Sequence, residues 1–213
     1  TYILITRLDS FSIAFFLGTL NLASAIFLLK DKLKGALSKS LFIIINVVFI
    51  LAVLSFFGPA KELHRFSVDK QWQGQKVLSY KNSVYANLVV TKSKDQYTFY
   101  SYGVPIITTP VPDITHTEEL VHFTMLSHPN PKNVLLLSGG AGGVIKEILK
   151  YPIEKLTYTE LDPLLIKLIK DFPTELTKDE LNDPRLDIQH IDARKYLGLV
   201  KSKYDIVILN LPM

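Results

Sequence analysis

Two acidic residues and a glycine-rich turn follow three successive apolar segments in the second half of the sequence. The turn, GGAG at 139–142, comes directly after the apolar run VLLLS. Glu160 ends the next apolar segment, 20 residues after Gly140, and Asp192 follows the third. A carboxylate at the end of the second strand can accept hydrogen bonds from both ribose hydroxyls. A carboxylate after the third can accept one from an adenine amino group, so the pattern predicts a nucleoside site.

The glycine spacing argues against a dinucleotide. Ile145 stands where the last glycine of G-x-G-x-x-G would be, and a dinucleotide needs room there for its pyrophosphate. An S-adenosyl compound has no phosphate and fits this pattern better. We expect it to contact Gly139, Gly140, Ala141, Gly142, Glu160, Asp192 and Ala193. Asp192 also has a structural interpretation as the N-cap of the helix ARKYLGLV, and both roles can coexist.

The elements that must position these residues alternate between strand and helix from Asn133 onward. A continuous apolar run such as VLLLS is typical of a parallel strand covered on both faces. The alternation predicts an α/β fold with a Rossmann-like doubly wound sheet, of the S-adenosylmethionine-dependent methyltransferase type, over 113–213. Alternating β-branched and aromatic residues predict two to four antiparallel strands in a small β segment at 63–112.

Two segments without charge, 11–29 and 41–60, lie in the first part of the chain. At about 1.5 Å per residue, each matches a hydrocarbon core of about 30 Å. We therefore expect a membrane region over 1–62 with two transmembrane helices in a lipid bilayer. The loop between the two segments and the stretches outside them carry equal numbers of basic residues, so the positive-inside rule does not decide the topology. We expect a multi-pass protein of the cytoplasmic or inner membrane, with the following domain in the cytoplasm, where its cofactor is made.

Composition excludes several other classes of site. The sequence has no cysteine, which excludes disulfides and cysteine-based zinc sites. Its lysines are scattered, without the dense basic stripe typical of nucleic-acid binding. His116, His122 and His128 recur six residues apart and do not share a helical face, so we expect no metal site. Because the chain starts at Thr1 and stops just after a strand-like run, we expect a fragment of a longer protein.

Four stretches resemble the spermidine synthase (polyamine aminopropyltransferase) family: HPNPKNVLLLSGGAGGVIKEILKYP, YTELDPLLIKLIKDF, NDPRLDIQHIDARKYL and YDIVILN. The resemblance covers about residues 75–213, and the two apolar segments resemble its membrane-fused branch. Members of the family move an aminopropyl group from decarboxylated S-adenosylmethionine to an amine such as putrescine. The resemblance implies decarboxylated S-adenosylmethionine or S-adenosylmethionine as cofactor and a polyamine-type amine as partner. The resemblance also implies a possible homodimer, because members of the family often form dimers.

The sequence departs from the family at the positions that handle cationic amines. The aspartate of the family's GGGDGG, which holds the donor's ammonium, is Ala141 here. The strand-four aspartate that helps to deprotonate the attacking amine is Asn210, which cannot accept a proton. A Tyr-Gln pair reads Tyr85-Ala86, and a Tyr-His-Glu triplet reads His116-Thr117-Glu118. The resemblance thus implies an amine site at Tyr85, His116, Thr117 and Glu118, with Asn210 in the catalytic position.

Three functions remain open at this point. The first is aminopropyl transfer to an unusual acceptor. The second is S-adenosylmethionine-dependent methylation, because a donor that carries a carboxylate suits Ala141, and Asn210-Leu211-Pro212 is similar to the N-P-P motif of some methyltransferases. The third is a non-catalytic sensor of polyamines or nucleosides within a membrane protein.

Overall fold

The chain divides into two compact units, Thr1–Gly74 and Gln75–Met213. The computed structural model describes residues 2–29, 36–56 and 58–210. The predicted boundary after residue 62 falls inside a helix, Pro59–Gln71, and the division between the two units follows Gly74. Pro59 in the first turn and Glu62 near the helix N-terminus both favour this helix. The predicted segments 63–112 and 113–213 mostly fall together in the second unit.

The first unit is helical. Its described elements are α1 (Tyr2–Ile5), α2 (Ser10–Leu29), α3 (Ala36–Phe56) and α4 (Pro59–Gln71). Among the described residues, α2 is the one helix that is long and apolar enough to cross a membrane alone, with a mean hydropathy of 1.9 over Ser10–Leu28. It coincides with the predicted span 11–29. A signal sequence near an N-terminus has the same length and composition, so the span stays a proposal.

The second predicted span, 41–60, has different limits in the structure. The observed helix α3 ends at Phe56, and α4 begins at Pro59 with Gly58 as its N-cap. Proline has no N–H to continue a helix but suits its first turn, which explains the new start. Only the bent pair Ser40–Ser55 and Pro59–Gln71, counted together, meets the criteria for a span. The structure therefore gives one candidate span outright, and two spans remain a prediction.

The second unit begins with an antiparallel sheet. Its strands are β1 (Lys76–Asn82), β2 (Asn87–Ser93), β3 (Gln96–Ser101) and β4 (Val104–Thr109), which pair in the order β1-β2-β3-β4. Ser101 pairs with Val104, so Tyr102 and Gly103 form a two-residue turn, with φ of 51° and 80°. Two positive φ angles are what a tight hairpin turn of the I′ type requires. The predicted antiparallel segment is confirmed.

A parallel sheet follows, with β5 (Asn133–Leu137), β6 (Lys155–Thr159), β7 (Leu186–Gln189) and β8 (Ile206–Leu209) in the order β7-β6-β5-β8. The helices of this unit are α5 (Ile114–Met125), α6 (Val144–Leu149), α7 (Pro163–Asp171), α8 (Glu175–Leu181) and α9 (Ala193–Leu199). The chain moves outward from β5 through β6 to β7 and then returns to β8 on the other side of β5. This reversal confirms the doubly wound α/β fold.

The core of the second unit explains why β5 is continuously apolar. Val134, Leu135 and Leu136 are completely buried, as expected for a strand covered on both faces. The antiparallel sheet is joined to the loops beyond β6 by two hydroxyl contacts. Ser83 Oγ donates to Asp162 Oδ2 at 2.5 Å, and the hydroxyls of Thr109 and Thr174 lie 2.6 Å apart.

A substitution at Gly140 can test how tightly the turn after β5 packs against this core. A Cβ at Gly140 would lie 2.6 Å from Leu136 Cδ2 and 2.9 Å from Tyr158 Cε2. We expect Gly140→Ala to lower the free energy of unfolding by about 1–3 kcal/mol through overpacking. Gly198→Ala is the matched control, because a Cβ at Gly198 meets nothing within 4 Å. It should be neutral or stabilise α9 by up to about 1 kcal/mol.

The measurement is thermal unfolding of the full chain in detergent, followed by near-ultraviolet circular dichroism. Equal transition temperatures for the two alanine variants would contradict the packing described for Gly140.

Candidate functional site

The glycine turn, residues 138–143, lies at the carboxyl end of β5, beside the point where the chain reverses direction toward β8. Gly139 and Gly142 have positive φ angles of 59° and 91°. Added Cβ atoms would strike the end of β8 at Gly139, the β5 and β6 side chains at Gly140, and Ile107 of β4 at Gly142. Protein packing alone thus accounts for the glycines. Their contact with a ligand stays a prediction.

Glu160 follows β6 and is held by two hydrogen bonds. Its Oε2 accepts from the Tyr158 hydroxyl at 2.7 Å, and its Oε1 accepts from the Asp162 amide at 3.1 Å. Burial, and then the charge of Glu160, raise the pKa of Tyr158 well above its usual value, so the hydroxyl remains a donor. Each carboxylate oxygen can accept a further hydrogen bond. Glu160 is therefore oriented, nine-tenths buried and still able to bind hydroxyl groups.

Asp192 caps α9, as the structural interpretation of its position predicts. Its Oδ1 accepts from the Lys195 amide at 3.0 Å, and its side chain remains 40% exposed. The ends of β6 and β7 are joined directly, because the Glu160 amide donates to the Gln189 carbonyl at 3.0 Å. Glu160 and Asp192 therefore follow adjacent parallel strands at one edge of the sheet. Ala193 is the first residue of α9.

Asn210 joins the end of β8 to the glycine turn. Its Nδ2 donates to the Gly139 carbonyl at 2.7 Å, and its backbone amide donates to the Leu137 carbonyl at 3.1 Å. A carboxylate at this position could not make the first bond, because it has no N–H to donate. Ala141 in the turn is buried and apolar. Both sequence departures thus place neutral side chains in packed surroundings.

The predicted amine residues fall into two places. Tyr85 is 45% exposed, and its amide donates to Ser83 Oγ at 2.9 Å, which links it to Asp162 beyond β6. His116 is exposed in the first turn of α5. Thr117 and Glu118 line a pocket of about 230 Å³ between α5 and α6, together with Pro112, Ile114, Gly143, Lys146, Glu147 and Leu176. The structure thus brings Thr117 and Glu118 to the end of the glycine turn.

The same helices carry a cluster of three titratable residues, Glu118, His122 and Glu147, whose ligand-type atoms lie within 4.8 Å of one another. His122 Nδ1 is 2.7 Å from the Tyr151 hydroxyl, and its Nε2 is 3.4 Å from Glu147 Oε2. Glu147 Oε1 pairs with Lys150 at 2.6 Å. We interpret the cluster as a polar network that joins α5 to α6. Histidine spacing could not reveal it, because two of its members are carboxylates.

Glu180 is a buried acid at the glycine turn that the sequence pattern does not predict. It lies on α8, which the pattern does not predict either, and it is 1% exposed. Its oxygens accept from the amides of Gly142 at 2.5 Å and Gly143 at 3.0 Å. Burial raises the pKa of Glu180 to about 7, although both amide donors act in the opposite direction. In the sequence, TKDEL has the composition of a solvated helix face and gives no sign of this role.

Residues 114–212 match the family model of the Spermine/spermidine synthase domain. This match, over just under half of the chain, identifies residues 114–212 as a spermine/spermidine synthase domain. The match begins at α5 and extends beyond Asn210, so it contains the glycine turn, Glu160 and Asp192. The resemblance found in the sequence motifs is therefore confirmed, while the membrane-fused branch of the family stays a prediction.

Curated relatives in this family include the polyamine aminopropyltransferase of Korarchaeum cryptofilum, 41% identical over 106 residues, which cover 50% of this chain and 33% of the relative. The polyamine aminopropyltransferase of Clostridium perfringens is 31% identical over 149 residues, which cover 68% of this chain and 50% of the relative. The spermine synthase of Saccharomyces cerevisiae is 31% identical over 142 residues, covering 64% and 44%. The chain spans about half the length, or less, of these relatives.

Solved structures of the family have the same fold. A spermidine synthase in complex with the transition state analogue AdoDATO is 29% identical, with a TM-score of 0.57 over 63% of this chain and 46% of the other. The spermidine synthase from Thermotoga maritima has the same identity and TM-score, and the match covers 63% of this chain and 48% of the other. At this identity the likeness supports the family assignment as well as the fold.

Asn210 can be tested by restoring the acid that the family pattern has at this position. We expect Asn210→Asp to lower the free energy of unfolding by about 1–3 kcal/mol, because it removes a donor and places a carboxylate against the Gly139 carbonyl. Asn130→Asp, at an exposed position, is the matched control. Thermal unfolding of both variants gives the comparison. A loss no larger than that of the control would show that the Asn210–Gly139 bond does not constrain the turn.

Proposed function

We propose that this chain is a membrane-anchored aminopropyltransferase that binds decarboxylated S-adenosylmethionine and transfers its aminopropyl group to an amine. One observation carries the proposal. The glycine turn, Glu160 and Asp192 follow β5, β6 and β7, three neighbouring parallel strands whose carboxyl ends share one edge of the sheet. In open α/β sheets, ligands bind at this edge, beside the reversal in strand order. The AdoDATO complex of a related spermidine synthase supports the same ligand class.

Each part of the nucleoside has a proposed partner. Glu160 is fixed by Tyr158 and Asp162 and keeps accepting capacity for the two ribose hydroxyls. Asp192 is partly exposed beside the first turn of α9 and can accept from the adenine amino group. The backbone of residues 139–142 would lie along the tail that carries the sulfur. Fixed acceptors reduce the conformational entropy that binding must overcome.

The transfer itself requires a neutral amine. The amine nitrogen attacks the carbon beside the sulfonium, so a C–N bond forms, the C–S bond breaks and methylthioadenosine leaves. The proton lost by the amine must go to a base or to water. Asn210 cannot take it, and Ala141 offers no group. Glu118 is the one acid among the predicted amine-site residues, and it lines the same pocket as Thr117 and Gly143. We therefore propose that Glu118 binds and orients the amine.

A non-catalytic sensor is the second candidate, and a specific observation favours it. Ala141 is buried and apolar, and Asn210 uses its amide on the Gly139 carbonyl, so neither of these positions offers a base. The same contact of Asn210 weakens the methyltransferase alternative, because the amide that would hold a substrate nitrogen already has a partner. Binding and turnover of the donor must therefore be measured separately.

The membrane anchor is supported by α2, a 20-residue helix without charge whose apolar side chains, including Leu17 and Leu20, are about half exposed. Apolar residues of α3 are also exposed, including Ile43, Ile44 and Leu54. Lipid contact would account for exposure on this scale. We propose the cytoplasmic or inner membrane as the location, with the second unit in the cytoplasm, and a homodimer stays a prediction from the family.

Calorimetry on the full chain in detergent tests the cofactor. We expect decarboxylated S-adenosylmethionine to bind more tightly than S-adenosylmethionine, and Glu160→Gln to weaken binding by about tenfold or more, because a charge-assisted acceptor is lost. Glu119→Gln, an exposed acid on α5, is the control and should bind as the parent does.

Three results are informative. Binding with release of methylthioadenosine in the presence of an amine supports the transferase. Binding without turnover supports the sensor, and tighter binding of S-adenosylmethionine supports methylation. If the parent chain binds none of these nucleosides, the proposed function is wrong.

Alkaline carbonate extraction of cell membranes tests the anchor. We expect the chain to remain in the membrane pellet and Leu20→Arg to increase the extracted fraction, because an arginine near the centre of a span costs about 2.5–3.5 kcal/mol on insertion scales. Leu126→Arg, at the exposed C-cap residue of α5, should leave extraction unchanged. Loss of an N-terminal epitope during export would instead identify α2 as a cleaved signal sequence.

A further inference from the structure

Glu180 is a buried acid for which the proposed chemistry has no role. Its side chain comes from α8, and its two oxygens are 2.5 Å and 3.0 Å from the amide nitrogens of Gly142 and Gly143. The residue is 1% exposed, so solvent does not share these bonds. The amides are thereby occupied by a group of the protein and are not free to bind a phosphate.

The charge of Glu180 is positioned to act on any ligand at the turn. The turn itself, residues 138–143, reads SGGAGG and contains no charged side chain. Its free amides would be partial positive charges, which favour anions. Consecutive Cα atoms are about 3.8 Å apart, so the Cα atom of Gly142 lies at most about 8 Å from that of Gly140 and at most about 11 Å from that of Gly139. Salt screens buried charges much less than exposed ones.

We propose that Glu180 sets the charge preference of the nucleoside site, favouring a cationic S-adenosyl compound over a neutral one and opposing phosphate-bearing nucleotides. This proposal rests on the proposed function, because it requires the nucleoside to lie along the glycine turn. Glu180 acts through its electric field and through the backbone of the turn. It is a positioning and specificity residue and does not touch the reacting atoms.

The surroundings of Glu180 determine when it carries this charge. Lys146 of α6 faces it and also pairs with Asp179 at 3.3 Å. Glu118 and Glu147 line the neighbouring pocket, and the charged residues of α7 are exposed: Lys167, Lys170 and Asp171. Burial raises the pKa of Glu180 from 4.5 to about 7. The Glu180 carboxyl is therefore mostly protonated at about pH 6 and mostly ionised at about pH 8, which lie about one pH unit below and above this pKa.

The same shift fixes the sign of an effect on stability. The pKa of Glu180 is higher in the folded chain than in the unfolded chain, so the folded state holds the proton more tightly. The free energy of unfolding should then fall as the pH rises from about 4.5 to about 7. A bound cation offsets this loss by favouring the ionised carboxylate.

The test compares three ligands on the full chain in detergent at about pH 8: cationic decarboxylated S-adenosylmethionine, neutral methylthioadenosine and anionic ADP. We expect Glu180→Gln to weaken binding of the cation by about tenfold, to change binding of the neutral ligand by less than about threefold and to improve binding of ADP. Glu175→Gln, an exposed acid on the same helix, is the matched control and should change none of the three.

A purely structural role gives a different result, because loss of the turn would weaken all three ligands equally and overturn the proposal. Unchanged affinities in Glu180→Gln would overturn it as well. If that variant does not fold, the parent chain still decides the question. Its affinity ratio of cation to neutral ligand must rise from about pH 6 to about pH 8, and a constant ratio contradicts the proposal. A parent chain that binds no nucleoside refutes the proposed function itself.

Discussion

The candidate site depends on how one short turn of backbone is held at the reversal of strand order. Buried amides and carbonyls must find partners, and here the partners come from distant parts of the chain. The amides of Gly142 and Gly143 donate to Glu180, and the carbonyl of Gly139 accepts from Asn210. The turn sets the start of α6, so these bonds also fix that helix relative to the sheet.

A second network holds Glu160, the proposed ribose ligand, and connects it to the antiparallel sheet. Tyr158 donates to Glu160, Glu160 accepts from the Asp162 amide, and Asp162 accepts from Ser83. Hydrogen bonds in such chains polarise one another at low dielectric, and buried groups within them are costly to leave unpaired. Ser83 also binds the amides of Tyr85 and Ala86. The β1–β2 connection, which carries a predicted amine-site residue, is therefore coupled to the proposed cofactor edge.

The acid that contacts the glycine turn comes from outside the turn. The side chains of Ala141 and Asn210 are neutral. Ala141 is buried, and Asn210 donates a hydrogen bond to the Gly139 carbonyl. The buried acid at the turn is Glu180, on a helix that follows β6. A buried carboxylate needs hydrogen-bond donors to remain ionised, and the two glycine amides supply them. The acid at the turn is thus buried and bonded to the backbone.

The sequence by itself determined the doubly wound fold, the glycine turn and the two acids after β6 and β7, because these depend on local periodicity and on the order of elements along the chain. It also determined that Asp192 can cap α9, since a cap depends on residues only three positions apart. It did not reveal that Pro59 starts a new helix within 41–60, nor that this helix continues over 63–71. Only the tertiary structure decided the partners of Asn210 and Glu180 and the cluster of Glu118, His122 and Glu147. The Asn210–Gly139 bond joins residues 71 positions apart, the Glu180–Gly142 bond joins residues 38 apart, and His122 and Glu147 are 25 apart. No local pattern encodes which distant side chain satisfies a buried amide or carbonyl.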